Sequence, residues 1–451
     1  MKTPSRRHDP AEAWAPYVPT PDAPWDLARV AHLHRRAGFS APWKTLRRDL
    51  AEGPEASVER LLNGEPADAD GPGEALMDEM STHATTIESA RAAWLYRMIF
   101  STHPLRERLT LFWHDHFATA EAKVNNVGAM VRQNMLLRQH ALGDFRPLLT
   151  AMARDPAMLI WLDATTNRKE HPNENYAREV MELFALGRGH YTEKDVQEAA
   201  RAFTGTYVQS DRYVERPAQH DDGVKTVLGK SGPFKGDDIA AVLLEQPACA
   251  EFLAGKLYRH FVNEVDEPSA GLIGPLAGVL RSGGYDIRAT MKVLLSSRHF
   301  FGVANRRRRV KGPVEYAVGT IRALEILHPT VSAEALAVST SAMGQALYAP
   351  PSVAGWGGGS TWISTSSTLS RTNLALALLE PGATGGLFGP KKPFGGRFDP
   401  DALAARHGGS ASFYVDLLAQ DALDEAVKRK LVGSAREVAT LVLTSPEYQL
   451  A

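Results

Sequence analysis

The chain has 451 residues, 44% of them hydrophobic, enough to bury a large core and to exclude disorder as the dominant state. With 51 Lys and Arg against 52 Asp and Glu the net charge is −1, so no global field steers the protein toward nucleic acid or an anionic membrane. The single cysteine, Cys249, excludes an intrachain disulfide, a redox dithiol and a cysteine-type zinc site; among apolar neighbours it reads as a small buried thiol.

Residues 1–24 are rich in proline and predict an extended, disordered leader. They contain no apolar run of the kind a secretory signal needs, and no segment approaches the ~20 apolar residues of a membrane span. The sequence as it stands therefore reads as cytoplasmic, with no membrane span. From Asp26, Leu27, Val30, Ala31 and Leu33 recur at helical spacing up to Gly38, and a second helix follows from Trp43 to Leu50.

A Gly, Pro and Asp-rich loop over 64–73 precedes one long helical stretch from Glu74 to Phe100. Helix then follows helix from Leu105 to Phe203, with breaks at Pro104, Pro147, Pro156 and Pro172. The exception lies at 204–236, where Gly205-Thr-Tyr-Val, Asp211-Arg-Tyr-Val and Lys225-Thr-Val-Leu predict a small β-hairpin inserted in the helical body. Helices resume at Asp237.

Pro350-Pro-Ser-Val-Ala-Gly-Trp-Gly-Gly-Gly-Ser is too rich in Gly and Pro for a helix but carries one large aromatic, Trp356. Such a loop brings backbone close to something. Residues 381–400 form a Gly and Pro-rich connection, and 401–451 return to helices that pack on the same domain. The fold class expected is mainly α: one large multi-helix domain over 25–380 with the hairpin inserted.

Three segments carry candidate chemistry. On a helical wheel of Leu105-Arg-Glu-Arg-Leu-Thr-Leu-Phe-Trp-His-Asp-His-Phe, the residues Leu105, Leu109, Phe112, Trp113 and Phe117 form an apolar face. His116 lies in its middle and His114 points roughly 160° away, so the pair cannot chelate one metal as it would on a strand. His116 is either a core histidine held by a buried polar partner or a ring at the bottom of a pocket. His114 reads as a surface or helix-end residue.

In His171-Pro-Asn-Glu-Asn-Tyr-Ala-Arg-Glu-Val-Met-Glu-Leu-Phe, Asn173 is a helix N-cap candidate and Tyr176, Val180, Leu183 and Phe184 make an apolar stripe. Glu174, Arg178 and Glu182 have the i, i+4 spacing of a solvated face. Glu179 borders the stripe, and a carboxylate there must be paired, metal-bound or protonated. It is the best single candidate for an acid, base or ligand. The third segment, Gln219-His-Asp-Asp-Gly-Val-Lys, places His220 and Asp221 in a turn at the edge of the hairpin, a composition that turns also adopt for backbone reasons alone.

If that turn folds over the helices, His116, Glu179, His220 and Asp221 form a set of ligands for one divalent ion, the only cofactor the sequence suggests. Glu179, Arg178 and His116 are then the catalytic candidates, and Asn175, Trp356 and Lys225 line the substrate. Arg306-Arg-Arg-Arg-Val-Lys is an isolated basic run in a neutral protein and reads as a solvated helix start rather than a phosphate grip. No Walker, dinucleotide-glycine or Gly-x-Ser-x-Gly pattern is present.

Taken together, Phe112-Trp-His-Asp-His-Phe, Pro172-Asn-Glu-Asn-Tyr-Ala-Arg-Glu, Ala200-Arg-Ala-Phe-Thr-Gly, His220-Asp, Met343-Gly-Gln, Pro350-Pro-x-Val-x-Gly-Trp-x-Gly-Gly and Ser445-Pro-Glu-Tyr-Gln resemble the large bacterial family catalogued as domain of unknown function 1800. These words span nearly the whole chain from about Trp25. The resemblance implies a single helical unit and supplies no mechanism. It also implies export for many relatives and a neighbouring sulfatase-like family as a partner, whereas this sequence lacks an export signal. Where relatives often carry asparagine between the two histidines, this chain has Asp115.

Two functions remain open on the sequence. One is a metal-dependent or acid–base enzyme, hydrolase-like, acting on a glycan or ester. The other is a non-catalytic binding or assembly protein in which the polar motifs tie helices together and the Gly-Trp loop contacts a partner. A nucleic-acid partner is not expected.

Overall fold

Helix boundaries in the computed structural model follow the residues that satisfy helix ends. The structure describes residues 10–65, 71–327, 331–380, 398–420, 423, 425–429 and 431–451. Asp26 caps Leu27–Ala37 by accepting from Arg29 N, and the helix stops at Gly38. Proline opens Pro54–Asn63, Pro104–His116, Pro156–Trp161, Pro247–Phe261 and Pro313–Ala323, where its missing N–H would have no helical partner anyway. The expected single helix from Glu74 to Phe100 is two, Glu74–Thr82 and Ile87–Phe100. Thr86 and Ser89 make a reciprocal capping box, and that local polar signal starts a new helix within a continuous apolar pattern.

The fold is mainly α. Its β structure among the described residues is two separate antiparallel hairpins rather than one: Thr206–Gln209 with Arg212–Glu215, and Lys225–Val227 with Lys230–Gly232. Each turn is two residues at positive φ, Ser210-Asp211 and Leu228-Gly229, the backbone that suits a tight hairpin. No helix among the described residues is long and apolar enough to cross a membrane.

The proline-rich start is a correction to the expected leader. Residues 1–9 lie outside the described residues, but Pro10–Ala13 is helical and Trp14 is buried, its Nε1 donating to Leu272 O at 2.8 Å. Tyr17 N bonds Ser296 O, and Trp25 Nε1 bonds Asp49 O. Aromatic anchors override the proline signal here. The expected connection at 381–400 falls mostly outside the described residues, up to 397.

Two hydrophobic clusters form the interior. Pro104–His116 runs between them: Leu105, Leu109, Phe112 and Trp113 enter one cluster and Leu111 the other. A helix packed on both sides buries its polar face too, which sets the stage for the site.

Candidate functional site

Because both faces of Pro104–His116 are covered, His114 is buried rather than at the surface. Its Nε2 accepts the Tyr348 N–H at 3.1 Å, and its ring lies against Trp94 and Trp356. Burial pulls its pKa down to about 3, so it stays a neutral acceptor. Next along the helix, Asp115 Oδ1 accepts the Trp356 N–H at 2.7 Å. The loop approaches so closely that a Cβ at Gly355, whose φ is +81°, would run into both Asp115 Oδ1 and the Asp115 carbonyl. Burial raises the Asp115 carboxyl to about 6, against the opposing effects of the Trp356 N–H, Lys256 and Arg309.

His116 faces the other way, toward Val180–Ala185. That segment is a π-turn continuing Glu174–Glu179, and its last carbonyls have no partner in the helix itself. Two side chains take them: His116 Nε2 donates to Phe184 O at 3.1 Å, and Lys256 Nζ donates to Leu183 O at 3.3 Å. Lys256 Nζ also donates to His116 Nδ1 at 3.1 Å, which fixes the ring as the Nε2–H tautomer. Burial and the neighbouring Lys256 charge hold the His116 pKa well below the ordinary histidine range. Burial lowers the Lys256 amine to about 8, with Asp115 acting in the opposite direction. Lys256, on Pro247–Phe261, thus ties the Trp-His-Asp-His helix to the π-turn, while Asp115, whose charge acts on it, holds the Gly-Trp loop.

The other expected residues sit elsewhere. Asn173 caps its helix through Asn175 N, and Asn175 Nδ2 donates to Leu162 O. Arg178 points outward and grips Glu193 through two bonds of 2.7 Å. The Glu179 side chain is half-buried and makes no hydrogen bond or ion pair with the described residues. Burial and the neighbouring Glu182 raise its pKa, opposed by Arg178 and Arg188. His220 donates through Nδ1 to Thr204 O at 2.9 Å, and Asp221 is held by Arg201 at 2.7 Å. Lys225 is buried, its Nζ donating to the carbonyls of Asp221 and Gly223.

The expected metal set is therefore corrected. No group of three or more His, Cys, Asp or Glu side chains among the described residues is arranged to hold a metal ion. His116, Glu179, His220 and Asp221 do not converge, because His116 is committed to the π-turn while the 220–225 turn folds onto Glu193–Ala202 through Arg201.

The basic run is also different from the expected solvated helix start. It is irregular, with Arg307 at φ +57°, and turns inward: Arg309 pairs with Glu315 and Glu264, and Lys311 stacks over Tyr448 at 3.4 Å. Two of the motifs meet its end, Ser-Pro-Glu-Tyr-Gln through Tyr448 and Met-Gly-Gln beside it. Gln345, of Met-Gly-Gln, accepts from Val314 N at the start of Pro313–Ala323.

A family model described as protein of unknown function (DUF1800) matches residues 32–450. The chain belongs to the DUF1800 family. No curated protein and no solved structure matches it. For this DUF1800 member, sequence reasoning missed Lys256, because a lone lysine in an amphipathic helix resembles any other surface lysine. It also missed Arg108, which on the same wheel falls roughly 40° beyond Phe112, just outside the apolar arc, where an arginine resembles any flanking residue.

Proposed function

We propose that the protein is an acid–base enzyme whose centre is Lys256, held against His116, with Asp115 alongside and the Gly355-Trp356 loop as its roof. The observation that carries this reading is the Lys256 Nζ to His116 Nδ1 bond beside Asp115, at the meeting point of three sequence motifs. An amine lowered to about 8 and a carboxyl raised to about 6 bracket neutral pH, as proton-transfer groups do. His116 and the Leu183 carbonyl orient the amine; Lys256 accepts a proton from water and Asp115 supplies one to a leaving group.

One amine and one carboxyl favour ester hydrolysis over cleavage of a glycoside, which works between two carboxylates. The test is a panel of chromogenic esters and glycosides. Ester turnover with a bell-shaped pH profile, its limbs near 6 and 8, that disappears in Lys256→Met is the expected outcome. No ester turnover at all, or turnover unchanged in Lys256→Met, contradicts the reading.

A second reading, as an assembly protein, has its own support. His114, Asp115, Asn173, Asn175 and Gln345 all spend polar atoms on ties between segments of the chain. Full biological activity retained by a folded Asp115→Asn, Lys256→Met double variant favours it over the enzyme.

A further inference from the structure

Behind the Asp115 end of the site, three arginines from three parts of the chain meet: Arg36 of Leu27–Ala37, Arg108 of Pro104–His116, and Arg309. All are buried. Their carboxylate partners are Glu315, which pairs with both Arg108 and Arg309, and Glu264, whose Oε2 lies 3.4 Å from Arg309 Nε. Three guanidiniums against two carboxylates leave one positive charge uncompensated. Lys256 and Asp115 at the edge add one of each sign and leave that balance unchanged.

Donors are in excess as well. Arg36 spends Nε and Nη2 on the carbonyls of Phe261 and His260, both at 2.9 Å. Its Nη1, together with Arg108 Nε and Nη2 and His260 Nε2, is enclosed and has no hydrogen-bond partner among the described residues. Guanidinium N–H groups buried without acceptors are costly, and guanidiniums do not relieve that cost by losing a proton at physiological pH. His260, by contrast, is held neutral by burial and by Arg108, Arg309 and Arg36, so its Nε2 can carry a hydrogen to donate.

We infer that Arg36, Arg108, Arg309 and His260 form a binding site for a tetrahedral oxyanion, phosphate or sulfate, free or as the terminal group of an ester. The enclosed, unpartnered donors of Arg36, Arg108 and His260 call for a ligand with several acceptor oxygens, and its negative charge offsets the excess positive charge. The cluster reaches the surface where His260, Glu264 and Asp115 are only partly buried. The glycine run passes over this rim: a Cβ at Gly358 would lie 3.8 Å from Glu264 Oε2. The inference does not rest on the acid–base reading, because its test is equilibrium binding rather than turnover.

The experiment is isothermal titration of the full chain with inorganic phosphate, inorganic sulfate, phenyl phosphate and phenyl sulfate at constant ionic strength, with chloride as the control. Saturation at one equivalent by at least one of the four is expected, weakened roughly ten- to a hundredfold in Arg108→Met and in Arg36→Met, the loss of one charge-assisted hydrogen bond. The ranking of free ions against esters then names the source of the group. Should one variant fail to fold, the other and the wild-type titration still decide. Absence of saturable binding in the wild type, or binding of equal strength in every folded variant, overturns the inference.

Discussion

Gly355→Ala is the sharpest structural perturbation available, because it has an internal control. Gly355 and Gly229 share nearly the same backbone, φ +81° and +80°, but Gly229 has nothing within 4 Å of a would-be Cβ, whereas at Gly355 the Cβ meets Asp115. Placing alanine in the left-handed region costs about 1–2 kcal/mol at either position. At Gly355 an overpacking cost of about 1–3 kcal/mol is added, since the Asp115 backbone carbonyl cannot swing away. Unfolding entropy near 2.1 cal/mol/K per residue makes each kcal/mol worth about 1 °C in a chain of this length. Gly355→Ala therefore lowers the midpoint of thermal unfolding by roughly 2–5 °C and Gly229→Ala by roughly 1–2 °C, on the same constants. Calorimetry of the two variants side by side measures the difference. Equal losses would refute the argument that the Gly-Trp loop is closed on Asp115.

Other perturbations follow the same logic. Asp115 has its folded pKa raised from 3.8 to about 6, so the native state holds a proton the unfolded chain has lost; the contribution is full below 3.8 and is lost as pH rises through about 6. Asp115→Asn keeps the acceptor for Trp356 N and is expected to gain up to about 3 kcal/mol over the wild type at pH 8, with the gain gone near pH 4. A gain independent of pH in urea unfolding contradicts this. Glu179→Gln, at a half-buried carboxylate without a partner, changes stability by less than about 1 kcal/mol; a loss of several would mean that Glu179 is a structural tie. Trp14→Ala empties a buried anchor and loses a bond to Leu272 O, a cost of about 3–5 kcal/mol that urea unfolding detects. An unchanged midpoint there restores the detached-leader picture.

Periodicity and capping made most of the fold legible. Asp26, Gly38, Pro104 and Pro156 all mark real helix boundaries, and the departures have local causes, such as the Thr86 capping box within an apolar run. The site was legible only in part. The wheel separated His114 from His116 and put His116 on the apolar face, where it is indeed buried with polar partners. It could not reveal that the opposite face is covered as well, which is why His114 and Asp115 hold the loops at 348 and 356 instead of facing water. The grouping of His116 with His220 failed because turn composition says nothing about which helix a turn folds onto. Lys256 was invisible because its role depends on a π-turn, whose freed carbonyls leave no trace in hydrophobic periodicity.

The most direct test of the acid–base centre is the titration of Lys256 itself, followed by NMR of lysine labelled with carbon-13 at Cε and assigned by its loss in Lys256→Met. The wild-type midpoint is expected at about 8, set by burial against the support of Asp115, and it should fall further in Asp115→Asn, where that support is gone. A midpoint at the ordinary lysine value of 10.5, or one that Asp115→Asn leaves in place, contradicts the account.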